Sequence, residues 1–186
     1  MRVKLAVFFC LVFLLSGCGN SGTLPDRALA LRDKILESDG CSFQCEITAD
    51  YGEKQYVFSM DCKTDREGNL VFAVTKPATI HGITGKINTS GGAITFDDKV
   101  LAFQTMADGQ ITPVSAPWLL MKTLRSGYIK GVSEDDDGYQ IAIDDSYEEK
   151  TFQLNVEVED NYPECCEIFW EGRRVLTVKV EEFTYL

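Results

Sequence analysis

Pro113-Val114-Ser115-Ala116-Pro117-Trp118-Leu119-Leu120-Met121-Lys122-Thr123-Leu124-Arg125-Ser126-Gly127 is the stretch on which the reading of the fold turns. Prolines at its start, Trp118 to Met121 and then Leu124 predict a helix that is apolar over much of its surface, with Gly127 as its stop. A helix with so little polar surface has to be covered by other structure. On either side of it the chain reads as strands, so the cover is a sheet.

Upstream, Ser42 to Ala49 and Gln55 to Cys62 flank Asp50-Tyr51-Gly52-Glu53-Lys54 and predict a hairpin centred near residues 53 and 54. Leu70 to Thr75 alternates and stops before Pro77. Ile83, Ile87, Ala93 to Phe96 and Val100 to Met106 follow at regular spacing. Downstream, Gly138 to Ile143, Thr151 to Val158, Cys166 to Trp170 and Val175 to Phe183 complete an antiparallel meander. Asp137-Gly138 and Glu171-Gly172 are tight-turn signals. Before the first hairpin, Asp26 is the expected cap of a helix carrying Leu29, Leu31, Ile35 and Leu36, ended by Gly40. The expected fold is α+β: a curved antiparallel half-barrel of about 10–11 strands packed around an N-terminal and an internal apolar helix.

The N-terminus is a separate unit. Arg2 and Lys4 precede an apolar run from Leu5 to Leu15 and then Leu15-Ser16-Gly17-Cys18. This is the pattern of a secretory signal peptide, too short for a membrane span of about 20 residues. Small residues closing on a cysteine resemble the bacterial lipoprotein box. That resemblance implies cleavage after residue 17 and lipidation of Cys18. The expected organisation is a signal peptide over 1–17, a lipidated tether over 18–25 and a domain over 26–186.

Removing Arg2 and Lys4 leaves 16 basic residues against 29 acidic ones, a net charge of −13. Such a surface repels nucleic acid and anionic headgroups, so attachment to a membrane is expected through acyl chains, each buried CH₂ giving about 0.8 kcal/mol. The location expected is the cell envelope outside the cytoplasm, lipid-anchored to a membrane.

Five cysteines remain in the domain: Cys41, Cys45, Cys62, Cys165 and Cys166. An odd number outside the cytoplasm implies disulfides and at least one thiol left over. The hairpin register expected above sets Cys45 opposite Cys62, and Cys41 reaches Cys165-Cys166 if the last strands fold back over the first. Zinc is not expected, because C-x-x-C spacing is absent and His81 is the single histidine.

Catalytic patterns are thin. There is no Gly-x-Ser-x-Gly turn to partner His81, and Gly82, Gly85 and Gly91-Gly92 read as turn and bulge glycines. Glu134-Asp135-Asp136-Asp137-Gly138 lacks the alternating ligands of a calcium loop and reads as a solvated hairpin turn. Asp97-Asp98 and Asp144-Asp145 read as charged loop tips. No enzyme activity, cofactor or metal is expected. The apolar residues are the candidates for binding: Phe58, Phe72 and Phe103 from the strands, with Trp118, Leu119, Met121 and Leu124 from the internal helix. They describe either a filled core or the lining of a cavity for an acyl chain.

The order of elements resembles the lipoprotein-localisation superfamily, half-barrel proteins related to the outer-membrane lipoprotein sorting proteins. The resemblance rests on Ala28 to Leu36 running into Cys45 to Tyr56, and on the closing pair Ile168-Phe169-Trp170-Glu171-Gly172 and Val175 to Phe183. It implies a concave face that binds lipid chains, with the paired helices and Trp118 as cavity lining, and no catalysis. It also implies a lipid or lipoprotein ligand, met by a tethered monomer acting as acceptor, lipid chaperone or sensor. The alternative is an interaction or envelope-sensing domain with a filled core.

Overall fold

The computed structural model describes residues 22–88 and 106–186. Helix α1 (Leu24–Glu37) opens on a capping box in which the Thr23 backbone N–H and hydroxyl both donate to Asp26 Oδ2, at 2.8 and 2.7 Å. These bonds hold the Asp26 carboxyl below the usual range. Asp26 is therefore the third helical residue and Thr23 the cap, and the helix begins inside the expected tether. Its buried stripe is Ala28, Leu31 and Ile35. Leu29 and Leu36, counted with the core from their spacing, lie on the outer side, 50% and 41% exposed.

Nine strands follow among the described residues: β1 (Gly40–Asp50), β2 (Gln55–Asp65), β3 (Leu70–Lys76), β4 (Thr84–Ile87), β5 (Tyr128–Glu134), β6 (Tyr139–Asp144), β7 (Gln153–Glu159), β8 (Tyr162–Trp170) and β9 (Arg173–Tyr185). Helix α2 (Ala116–Ser126), entered through a 3₁₀ turn at Pro113–Ser115, separates β4 from β5. The fold class is the expected one, a curved, unclosed antiparallel sheet with two helices. The strands expected at Ala93 to Phe96 and Val100 to Met106 fall on 89–105, outside the described residues, apart from Met106, which makes an isolated bridge to Ile111.

The sheet order is β4-β3-β2-β1-β9-β8-β7-β6-β5. A continuous meander would have placed β5 beside β4. Instead there are two meanders, joined where the first strand pairs the last: Cys45 faces Val180 and Ile47 faces Val178. Alternation puts Cys41, Phe43, Cys45, Ile47 and Ala49 of β1 on the buried face, with Leu154, Val156, Ile168, Val178 and Val180 from the other half. Both helices bury their apolar stripes in the same cluster.

Turns set the registers. Asp160-Asn161 and Glu171-Gly172 both have positive φ at their two central residues, the geometry of two-residue hairpins. Glu171-Gly172 is the turn the sequence predicts. The first hairpin turns one residue earlier than expected, with Tyr51 N–H donating to Lys54 C=O, so Phe43 faces Cys62 and Cys45 faces Met60. Asp137-Gly138 is not the central pair of its turn either. Asp135 and Gly138 close it by mutual hydrogen bonds, with Asp136-Asp137 at the tip.

Gly138 has a packing reason to be glycine. A Cβ there would lie 2.1 Å from the Val158 carbonyl oxygen, at a backbone φ that does not itself demand glycine. The neighbouring strand must shift to admit any side chain. Gly138→Ala is expected to lower the unfolding free energy by about 1–3 kcal/mol, read from urea denaturation. An unchanged midpoint would show that β6 and β7 are not in this register.

Candidate functional site

The concave face brings together five of the residues expected to line a cavity. Phe58 on β2, Phe72 on β3 and Leu119, Met121 and Leu124 on α2 share one apolar cluster, at 1–4% exposure. Burial of that degree is core packing around a seated helix. Phe103 lies outside the described residues. Trp118 differs from the others: it is half-buried at the edge of the cluster, with the Lys122 ammonium 5.5 Å from its ring centroid. Its indole Nε1 is buried and has no hydrogen-bond acceptor among the described residues.

The polar ties of α2 are distributed unevenly. Lys122 Nζ donates to Asp145 Oδ2 at 3.0 Å, and the wholly buried Thr123 hydroxyl donates to Asp145 Oδ1 at 2.9 Å. Arg32 reaches across from α1 and donates to the Leu124 and Gly127 carbonyls at 2.8 and 2.7 Å. These carbonyls have no partner within the helix, and a guanidinium is suited to them by both charge and geometry. Partial burial lowers the Arg32 pKa from its ordinary value. Arg125 donates to the Arg66 carbonyl at 2.7 Å, which ties the helix to the β2–β3 turn. Among the described residues, every tie from a side chain or carbonyl of α2 to another element falls between Lys122 and Gly127. Ala116 to Met121 are held by apolar packing.

Gly127 caps this arrangement for a reason that its stop signal alone does not give. Its φ is −70°, so no left-handed conformation is needed. A Cβ would meet the Asp144 carbonyl and the Thr123 side chain at 2.7 Å, and so would separate α2 from β6.

Asp144 and Asp145 are corrected by the structure. They are 15% and 13% exposed and pair with Lys130 and Lys122, so they are anchors and not loop tips. Sequence reasoning missed Arg32 as well. His81 lies exposed in the turn after β3. Among the described residues, no group of three His, Cys, Asp or Glu side chains is arranged to hold a metal ion.

The five described cysteines are free thiols. Cys45 and Cys62 sit diagonally across the β1–β2 ladder with their sulfurs 3.7 Å apart. The expected approach of Cys41 to Cys165-Cys166 does not occur. Cys41 faces Tyr185 at one end of β9, whereas Cys166 faces Val178, opposite Ile47, six residues further along β1. Burial pushes the Cys41, Cys62 and Cys166 thiols up. Burial, with Glu157 and Glu167 nearby, pushes Cys165 to about 11.

The outer surface carries two further features. A shallow groove of about 480 Å³ crosses β2, β3 and β4, lined by Val71, Ala73, Lys63 and Lys86 among others. At the far end, an acidic recess of about 200 Å³ is formed by Asp135 to Gly138, Glu157, Glu159 and Glu164. It lies beside the start of α1, where the Tyr139 hydroxyl donates to the Arg27 carbonyl and the Arg27 guanidinium covers the Tyr139 ring at 4.4 Å. The acidic recess therefore lies at the end of the domain where α1 begins.

No family model matches the chain, and no curated protein matches its sequence. Among solved structures, it is similar to a LolA superfamily protein from Nitrosomonas europaea, with 10% identity and a TM-score of 0.40 over 86% of this chain and 93% of the other. A domain from Vibrio parahaemolyticus assigned as an outer membrane lipoprotein-sorting protein is also similar, with 7% identity and a TM-score of 0.38 over 86% and 91% of the two chains. So is Pseudomonas aeruginosa MucB in its complex with MucA, at 10% identity and a TM-score of 0.39 over 86% of this chain and 56% of that one.

The acidic recess makes a pH-dependent prediction. Burial and the carboxylates of Asp135, Glu167 and Glu164 raise the Glu157 pKa, and Glu164 is the largest influence raising that of Glu159. A carboxyl whose folded pKa lies above its unfolded value destabilises the fold while both states are ionised. That penalty is relieved as pH falls through the raised pKa. Glu157→Gln is therefore expected to raise the thermal midpoint near neutrality, with the gain shrinking as pH is lowered towards the ordinary carboxyl range. A gain that is constant across that range would contradict the assignment.

Proposed function

We propose that this chain is an extracytoplasmic lipoprotein, anchored through Cys18, that binds an acyl chain or similar apolar ligand in its concave face beneath the first half of α2. The observation that carries the reading is the asymmetry of that helix. Among the described residues, five polar ties hold its C-terminal half, while its first half rests on apolar packing and the Trp118 N–H has no acceptor. A helix fixed at one end can lift at the other.

The energetics of such an exchange balance. Lifting the first half exposes Leu119, Leu120 and Met121, at about 1.5–3 kcal/mol for each side chain. An entering chain recovers about 0.8 kcal/mol per buried methylene, so roughly ten methylenes offset the cost. A buried donor without a partner costs about 1–3 kcal/mol. An ester or carboxylate oxygen beside Trp118 would recover that too, which favours an acyl lipid over a plain hydrocarbon. The closed packing of Phe58, Phe72 and Leu119 favours the second reading, a filled scaffold whose loops meet a protein partner.

Brominated acyl chains separate the two readings, because bromine quenches only an indole it approaches. In a Trp170→Phe background, which leaves Trp118 as the single tryptophan, saturable quenching by a brominated acyl lipid is expected. Arg32→Ala should speed its onset by loosening the helix, while lowering stability by about 2–3 kcal/mol through loss of hydrogen bonds from a charged group. Quenching that never rises above that of free tryptophan would leave the scaffold reading.

The anchor is tested separately. Cys18→Ser should move the protein from the membrane to the soluble fraction, since one acidic domain has no other proposed hold on a bilayer. Retention in the membrane fraction would overturn the anchor without touching the ligand.

A further inference from the structure

The sheet carries a second chemical feature that the ligand reading does not use. Cys62 faces Phe43 across the β1–β2 ladder, so it stands diagonally between Cys41, which faces Thr64, and Cys45, which faces Met60. All three point to the buried side. Their sulfurs are disposed differently. Cys41 turns its sulfur towards Ser38, 3.9 Å from its hydroxyl, and its backbone N–H donates to the Thr64 hydroxyl oxygen at 2.9 Å. Cys45 and Cys62 turn towards each other, at 3.7 Å.

We infer that Cys45 and Cys62 are an oxidisable pair, closed as a cross-strand disulfide while the chain folds, and that Cys41, Cys165 and Cys166 remain thiols. Diagonal partners on an antiparallel ladder lie near the outer limit that a bridge spans. Here the side-chain directions have already brought the two sulfurs to contact, and the bond requires a further approach to about 2.0 Å. Cys165 and Cys166 are neighbours on opposite faces of β8, and Cys166 lies two strands from β1, roughly 10 Å away at ordinary strand spacing.

The chemistry balances with a small disulfide as oxidant. One cysteine thiolate attacks oxidised glutathione, forming a mixed disulfide and releasing one glutathione thiol. The second cysteine thiolate displaces the other glutathione, giving the Cys45–Cys62 bond. The protein loses two protons and two electrons, and the electrons reduce one oxidised glutathione to two thiols. The mixed disulfide cannot fit the packed face, where both cysteines are buried at 2–3% exposure. Oxidation therefore belongs to the open chain. A fully reduced, folded protein should resist oxidised glutathione, and a folded, bridged protein should resist mild reductant.

The test uses the full chain, refolded from denaturant in a buffer of reduced and oxidised glutathione. Free thiols are then alkylated under denaturing conditions and the digest is read by mass spectrometry. The expected product is a linked pair of peptides, with fragment ions placing the bond between Cys45 and Cys62 and with Cys41, Cys165 and Cys166 alkylated. Cys41→Ala should retain the linked peptides and Cys45→Ala should lose them. Fragmentation of the wild-type product gives the same answer if either variant fails to fold. Alkylation of Cys45 and Cys62 along with Cys41, Cys165 and Cys166 in the folded, unvaried chain would overturn the proposal, as would a bond from Cys45 or Cys62 to any other of the seven cysteines.

Discussion

Pairing of the first strand with the last is the constraint from which the rest of this structure follows. Once β1 lies against β9, β2 to β4 must extend in one direction and β8 to β5 in the other, and the central strands come from opposite ends of the chain. The junction is sealed at its end by backbone alone: Asp39 N–H donates to the Leu186 carbonyl, and Leu186 N–H to that of Gly40. A bulge near that end sets two β9 residues, Glu182 and Phe183, against Phe43, with Phe43 and Phe183 stacked at 5.6 Å. Such a pairing closes a very long loop, so its entropy is repaid only when the buried faces on both sides are complete.

That constraint also places the helices. Helix α1 runs directly into the central strand, and α2 runs into β5 at one edge. Both pack on the same face because the buried apolar side chains of the sheet lie there. Arg32 then joins the two helices where the C-terminal carbonyls of α2 have no partner of their own. An acidic rim formed by Asp135, Asp136, Asp137, Glu157, Glu159 and Glu164 lies near the start of α1.

Much of this was legible in the sequence, and what was not has a common cause. Strand alternation, the apolar helix and the Glu171-Gly172 turn are local signals, and each marks the element it should. The register of the first hairpin is local too, yet a turn placed one residue late moves every partner by two and makes Cys45 and Cys62 diagonal. Asp145 and Arg32 were illegible for a different reason. An aspartate after a strand and an arginine on a helix resemble any solvated charge until their partners, Thr123 and the Leu124 carbonyl, are brought from about a hundred residues away or less in sequence. The β1–β9 pairing itself is of this kind, because nothing in either strand names the other.

The position of the polar ties shows that a bridge between Cys45 and Cys62 would not stiffen the sheet against the opening that the proposed ligand needs. The bridge would join β1 to β2, strands already paired over their whole length from Gly40–Asp65 to Asp50–Gln55. Helix α2 is tied mainly to the other half, through Asp145 after β6, and to α1 through Arg32. Its single tie to the β2–β3 turn, from Arg125 to the Arg66 carbonyl, is exposed. On the proposed ligand reading, such a bridge would stiffen the floor of the concave face and leave its cover free, so that motion would be confined to the first half of α2. Rigidity and access then reside in different elements, so each can be altered without the other.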